Sequence, residues 1–117
     1  MIVLVTKDLF FVPQLRAAVE AGGSELCVAL SADAAKLEEI AAEQVTAWIL
    51  DLTGVALANL PATVELLQRR FPTAIAVAFG PHVQTERLQA ARQAGCQHVL
   101  SRGQLDGQLE RWLPEWL

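Results

Sequence analysis

Asp51 closes the apolar run "WILDLTG" (48–54), a single carboxylate at the end of a segment that otherwise reads as core. A cation within about 4–6 Å would hold such a carboxylate ionised. Candidates stand in two other places. "TKD" (Thr6, Lys7, Asp8) follows the apolar run "MIVLV", and Arg102 follows "HVLS". The sequence leads us to expect a fixed Lys7–Asp51 ion pair; the alternative is that Lys7 points to solvent and Asp51 is bonded only to loop amides. Arg102 has two readings as well, a two-pronged grip on a carboxylate or phosphate, or a solvated residue in the loop-like "SRGQ". Thr53 and Gly80 complete the candidate cleft. His82, in "FGPHV", suggests acid–base work with Asp51, but no Ser or Cys nucleophile and no orienting third group stand in a recognisable motif beside it. It is read as a surface histidine.

Other chemistries lack their residues. There is no GxGxxG after the first apolar run, no Walker-type lysine loop and no Asp-x-His-x-x-Gly signature. "TKDLFF" offers one Thr before two aromatics where a flavin phosphate loop would need hydroxyls and glycines. Of Phe10 and Phe11, the expectation is core packing with incidental exposure; the alternative is that one packs in the core while the other covers the pocket mouth. Cys27 and Cys96 have no metal-ligand spacing, and no disulfide is expected between them.

The elements that must position these residues alternate along the chain. Strands are expected at 1–5, 25–30, 46–50, 74–79 and 98–101, three of them nearly continuous in apolar residues, as parallel strands covered on both faces require. Helix signals separate them. Pro13 opens a first helix stopped by Gly22–Gly23. Ser31 caps a second, with Leu37, Ile40 and Ala41 inward. Asn59 and Pro61 open a third that ends before Pro72, and Thr85–Glu86 open a fourth ended by Gly95. Asp106 caps a fifth, with Leu109, Trp112 and Leu113 inward and Pro114 as terminator. Five such units predict an α/β fold, a doubly wound flavodoxin-like three-layer sandwich with parallel strand order 2-1-3-4-5. In that order ligands bind beyond the carboxyl ends of the strands, where Asp51, Thr6, Lys7, Asp8, Gly80 and Arg102 all fall.

The totals agree. A chain of 117 residues, 53% hydrophobic with net charge −4, fits one acidic domain spanning 1–117. Its nine Lys and Arg are scattered and form no nucleic-acid footprint. No signal peptide and no span of about 20 apolar residues is present, so a cytoplasmic location is expected.

These positions are where the chain resembles the receiver domains of two-component response regulators, over essentially its whole length. "WILDLTG" resembles the third strand with its phosphoacceptor acid, "FPTAIAVAF" the approach to the fourth strand, and "AGCQHVLSRGQL" (94–105) the entry to the fifth. The resemblance implies five groups. Two acids and the acceptor hold Mg²⁺, a Ser or Thr bonds the phosphoryl oxygens, and a Lys pairs with them. Here the acid pair falls on Thr6 and Lys7, with Asp8 one position away; the hydroxyl falls on Gly80, or on Phe79 if shifted by one, neither of which has a hydroxyl; the Lys falls on Arg102, and the Pro after it on Gly103. Only Asp51 matches without allowance. Mg²⁺ is therefore not expected, because Lys7 puts a positive charge where a carboxylate ligand would stand.

The resulting expectation is a pseudo-receiver, not an enzyme, that stands alone and acts through protein contacts with a kinase, a regulator, an output protein or a second copy. Its interaction face, by resemblance the helix 4–strand 5–helix 5 surface and a candidate homodimer surface, would present Arg87, Arg92, Gln104, Gln108 and Arg111. Trp116 either anchors a partner there or folds back over the domain's own edge. Two rival readings are a working phosphoacceptor using Asp51 with Asp8, and a binder of small anions through Lys7 and Arg102. No nucleic-acid or membrane partner is expected.

Overall fold

A computed structural model describes residues 1–117. Five strands, β1 (Ile2–Val5), β2 (Leu26–Ala29), β3 (Ala47–Asp51), β4 (Ile75–Gly80) and β5 (His98–Ser101), form one parallel sheet in the order β2-β1-β3-β4-β5. The alternation of side chains along each strand explains its unbroken hydrophobicity. Val3, Val5, Trp48, Leu50, Ala76 and Ala78 face one core; Ile2, Leu4, Ala47, Ile49, Val77 and Phe79 face the other. Helices α2 (Ala35–Glu38), α3 (Leu60–Arg70) and α4 (Thr85–Gln93) supply Leu37, Val64, Leu67, Leu88 and Ala91 to the first core. Helices α1 (Val12–Ala21), α5 (Arg102–Gly107) and α6 (Leu109–Trp116) close the second.

Two helix ends depend on glycine. After α4, Gly95 takes φ +105°, its N–H donates to Arg92 O, and the Cys96 N–H donates to Ala91 O. Gly23, at φ +83°, makes the same pair of bonds after α1 with Ser24. This double closure satisfies carbonyls that the helix would leave open, and L-residues other than glycine resist its backbone angle. Gly22 has an ordinary φ of −82°, so the turn rests on the second glycine of the pair.

The second helix is much shorter than its sequence pattern suggests. Ser31 is no cap: its hydroxyl donates to Asp33 (2.7 Å), and Ala34 occupies the cap position without a side-chain acceptor. After Glu38 the chain leaves the helix, Ala41 is exposed, and a separate 3₁₀ turn covers Ala42–Gln44.

The last helical segment also departs from expectation. Helix α5 starts at Arg102, four residues before Asp106, because Ser101 and Gln104 cap it reciprocally: Gln104 N–H donates to Ser101 Oγ (3.1 Å), and Ser101 N–H to Gln104 Oε1 (2.8 Å). Arg102 is thus helical, not in a loop. Pro114 does not end the chain's last helix but lies inside α6. A proline there costs about 3 kcal/mol. Opposing it, Trp116 is fully buried on a stripe with Leu109 and Leu113, and about 200 Å² of indole at about 25 cal/mol per Å² returns ~5 kcal/mol. Burial wins, and the "PEWL" segment is helix rather than tail. Trp116 is accordingly a core residue, stacked on Trp112 at 6.3 Å, and is removed from the interaction face.

Candidate functional site

Asp51 ends β3 and is 3% exposed, yet both carboxylate oxygens are satisfied. Oδ1 accepts from the Thr53 amide (3.0 Å) and the Thr53 hydroxyl (2.7 Å), which makes Asp51 the cap of the 3₁₀ turn Leu52–Gly54. Oδ2 accepts from the Thr6 hydroxyl (2.8 Å). Thr6, itself buried, accepts in turn from the Asp8 amide (3.0 Å). A buried carboxylate needs hydrogen-bond partners, and neutral hydroxyl and amide donors supply them here.

Lys7 does not take part. The four ion pairs of the molecule do not include it, so its ammonium lies more than 4.0 Å from every carboxylate oxygen, Asp51 included. The expected Lys7–Asp51 pair is overturned. The physical reason is local: β1 buries Thr6 toward Asp51 and exposes the next residue, and the Lys7 stem runs past Gly54, where a Cβ would stand 3.7 Å from its Cγ and Cδ.

The ion pair at this edge is Asp8–Arg102. Arg102 Nη1 stands 2.8 Å from Asp8 Oδ2, Nε is 3.8 Å from Asp106, and the guanidinium lies 5.4 Å from the Phe11 ring centre. That hydrogen bond from Arg102, with the Phe10 amide donating to Oδ1 (3.0 Å), holds the Asp8 carboxyl below its ordinary value; the same bond raises Arg102. Sequence reasoning missed Asp106 and Phe11 as partners of Arg102, although Asp106 lies at i+4 from it on one helix, the spacing that brings side chains together.

Phe11 is buried against Phe79 (5.7 Å between ring centres), and Phe10 is 95% exposed. Gly80 ends β4 beside Ser101 of β5; a Cβ added there would meet Leu52 at 3.5 Å, an ordinary contact. His82 is exposed beyond β4. Thus the side chains of Thr6, Asp51 and Thr53 form one hydrogen-bonded group and those of Asp8 and Arg102 a second, linked where the Asp8 amide donates to Thr6, and Lys7 and Gly80 join neither.

On the interaction face, Arg92, Gln108 and Arg111 are exposed, with Arg111 stacked over Trp112 (5.4 Å). Gln104 is committed to the α5 cap, and Arg87 is half-buried with Nε on Val55 O (3.4 Å).

A five-stranded parallel sheet in this order, with an acid at the end of its middle strand, is the flavodoxin-like arrangement, and solved structures share it. The CheY-like protein TadZ from Pseudomonas aeruginosa superposes with a TM-score of 0.66 at 21% identity, over 94% of this chain and 96% of its own. CpaE from Burkholderia thailandensis, which carries a pilus-assembly name, gives 0.69 at 20% identity over 97% of each chain. The beryllofluoride-activated NtrC4 receiver domain dimer gives 0.69 at 14% identity, over 98% and 94%. The chain has the CheY-like receiver fold. No family model and no curated protein sequence matches it.

Proposed function

We propose that this chain is a pseudo-receiver: a signalling domain, not an enzyme, that works in the cytoplasm through protein contacts and without phosphoryl transfer. One observation carries this reading. Both oxygens of Asp51 already hold short bonds from neighbouring Thr side chains, at 2.8 and 2.7 Å. Efficient phosphoryl transfer to a carboxylate needs a divalent cation to neutralise the moving oxygens, and Mg²⁺ wants carboxylate oxygens in octahedral array. The residues here do not fit it. Thr6 and Lys7 stand at the acid-pair positions, the Asp8 carboxylate is turned to Arg102, and no three acid, His or Cys side chains converge. A phosphoryl group on Asp51 would also have to displace the Thr53 hydroxyl, with no Ser or Thr at Gly80 to receive its oxygens.

The outer surface of α4, β5 and α6, with Arg92, Gln108 and Arg111, is the proposed partner surface. That the NtrC4 neighbour is a dimer supports contact-based action for this fold. The test is incubation with acetyl phosphate and Mg²⁺, followed by intact mass. The expected result is an unchanged mass. A phosphoryl adduct that Asp51→Asn abolishes would establish the phosphoacceptor reading instead.

A further inference from the structure

The fold exposes five large apolar side chains, Leu9, Phe10, Leu30, Leu57 and Val83. All five lie on one edge of the sheet: Leu9 and Phe10 follow β1, Leu30 follows β2, Leu57 follows β3 and Val83 follows β4. None lies at the opposite edge, and Leu57 also borders α4. Singly scattered apolar residues need no explanation, but a gathering of this kind marks an interaction site. The same edge contains a cleft of about 380 Å³ between residues 30–33 and the first turns of α3. Leu30, Ala32, Val55, Ala62 and Leu66 give it an apolar wall, and Lys7 and Asp33 stand at it, both exposed and neither in an ion pair.

We propose that two copies of this chain pair face to face across this edge, the Phe10 ring of each entering the cleft of the other. The proposal rests on the reading that the chain works through contacts, and it moves self-association away from the α4–β5–α6 surface, whose own elements carry none of the five exposed apolar side chains. An interface with two-fold symmetry must be its own complement, so one patch has to carry both a projection and a recess. Phe10, 95% exposed, is the projection and the cleft is the recess. The charges follow the same rule. Lys7 and Asp33 are opposite in sign within one patch, so Lys7 of one copy faces Asp33 of the other, and like charges are kept apart. Pairing would cover the mouth above Asp51 and Thr53.

Sedimentation velocity on the full chain over a concentration series tests this. A reversible dimer is expected, weakened about tenfold or more by Phe10→Ser, which removes an exposed ring and spares the core, and by Ala62→Trp, which fills the recess. Lys7→Asp and Asp33→Lys should each weaken self-pairing, and mixing these two variants should restore a heterodimer, because each then meets its opposite. A chain that stays monomeric throughout overturns the proposal. So does a dimer indifferent to Phe10→Ser, or one dispersed by Arg111→Glu, which puts the contact on the helical face. Failure here leaves the proposed function standing, whereas phosphorylation of Asp51 would overturn that function and leave the pairing intact.

Discussion

Thr6 is the residue on which the character of the site turns. Its hydroxyl has one proton, and the 2.8 Å bond to Asp51 takes it, leaving the oxygen to accept from the Asp8 amide. Thr6→Val keeps the shape and removes both bonds. One carboxylate oxygen and one amide then lose their partners, and a loss of about 1–3 kcal/mol is expected in urea unfolding. Thr53→Val should cost less, since the Thr53 amide still donates to the same oxygen. The Asp8–Arg102 pair makes a separate, pH-dependent contribution. The Asp8 carboxyl titrates below its ordinary value of 3.8 when folded. Between that lowered value and 3.8 the unfolded chain binds more protons, so stability is complete above about pH 4 and falls as the pH drops below it. Stability measured against pH should show a shallower acid-side slope in Asp8→Asn than in the parent.

At the scale of elements, α6 is the segment whose existence depends most on tertiary contacts. Trp116→Ala removes the burial that outweighs Pro114, and a loss of about 3–5 kcal/mol is expected in thermal or urea unfolding. The strands and α1, α3 and α4 were readable in the sequence, because apolar runs, Pro13, Pro61 and Gly95 are local signals for local structure. Helix α6 was not. Pro114 is a breaker by every local rule, and only the burial of the Trp116 indole against His98 and Trp112 overrides it. Helix α2 failed in the opposite sense: its periodic pattern was present, but without a capping bond and with Ser31 spent on Asp33 the helix stops after Glu38. The site divided along similar lines. That Thr6, Asp51 and Arg102 share an edge follows from topology and could be read. Which cation met which acid could not, because it depended on the outward turn of Lys7 immediately after a buried Thr6.

At the scale of the molecule, the sheet separates two cores that share no side chain, and the candidate site lies at the edge where they meet. Asp51 is anchored through Thr6 to β1 and through Thr53 to the turn that leads into α3. Arg102, at the start of α5, reaches back across 94 residues to Asp8. The edge therefore joins the first and last thirds of the chain through side chains that need no bound ion. Its conformation should be insensitive to Mg²⁺, as the proposed pseudo-receiver reading requires.

The tryptophans divide between the two layers. Trp48 lies wholly inside the layer of α2, α3 and α4, whereas Trp112 and Trp116 belong to the layer of α1, α5 and α6. Each half of the molecule thus carries its own intrinsic fluorophore, so emission from single-tryptophan versions can distinguish concerted melting from the peeling of one layer before the other.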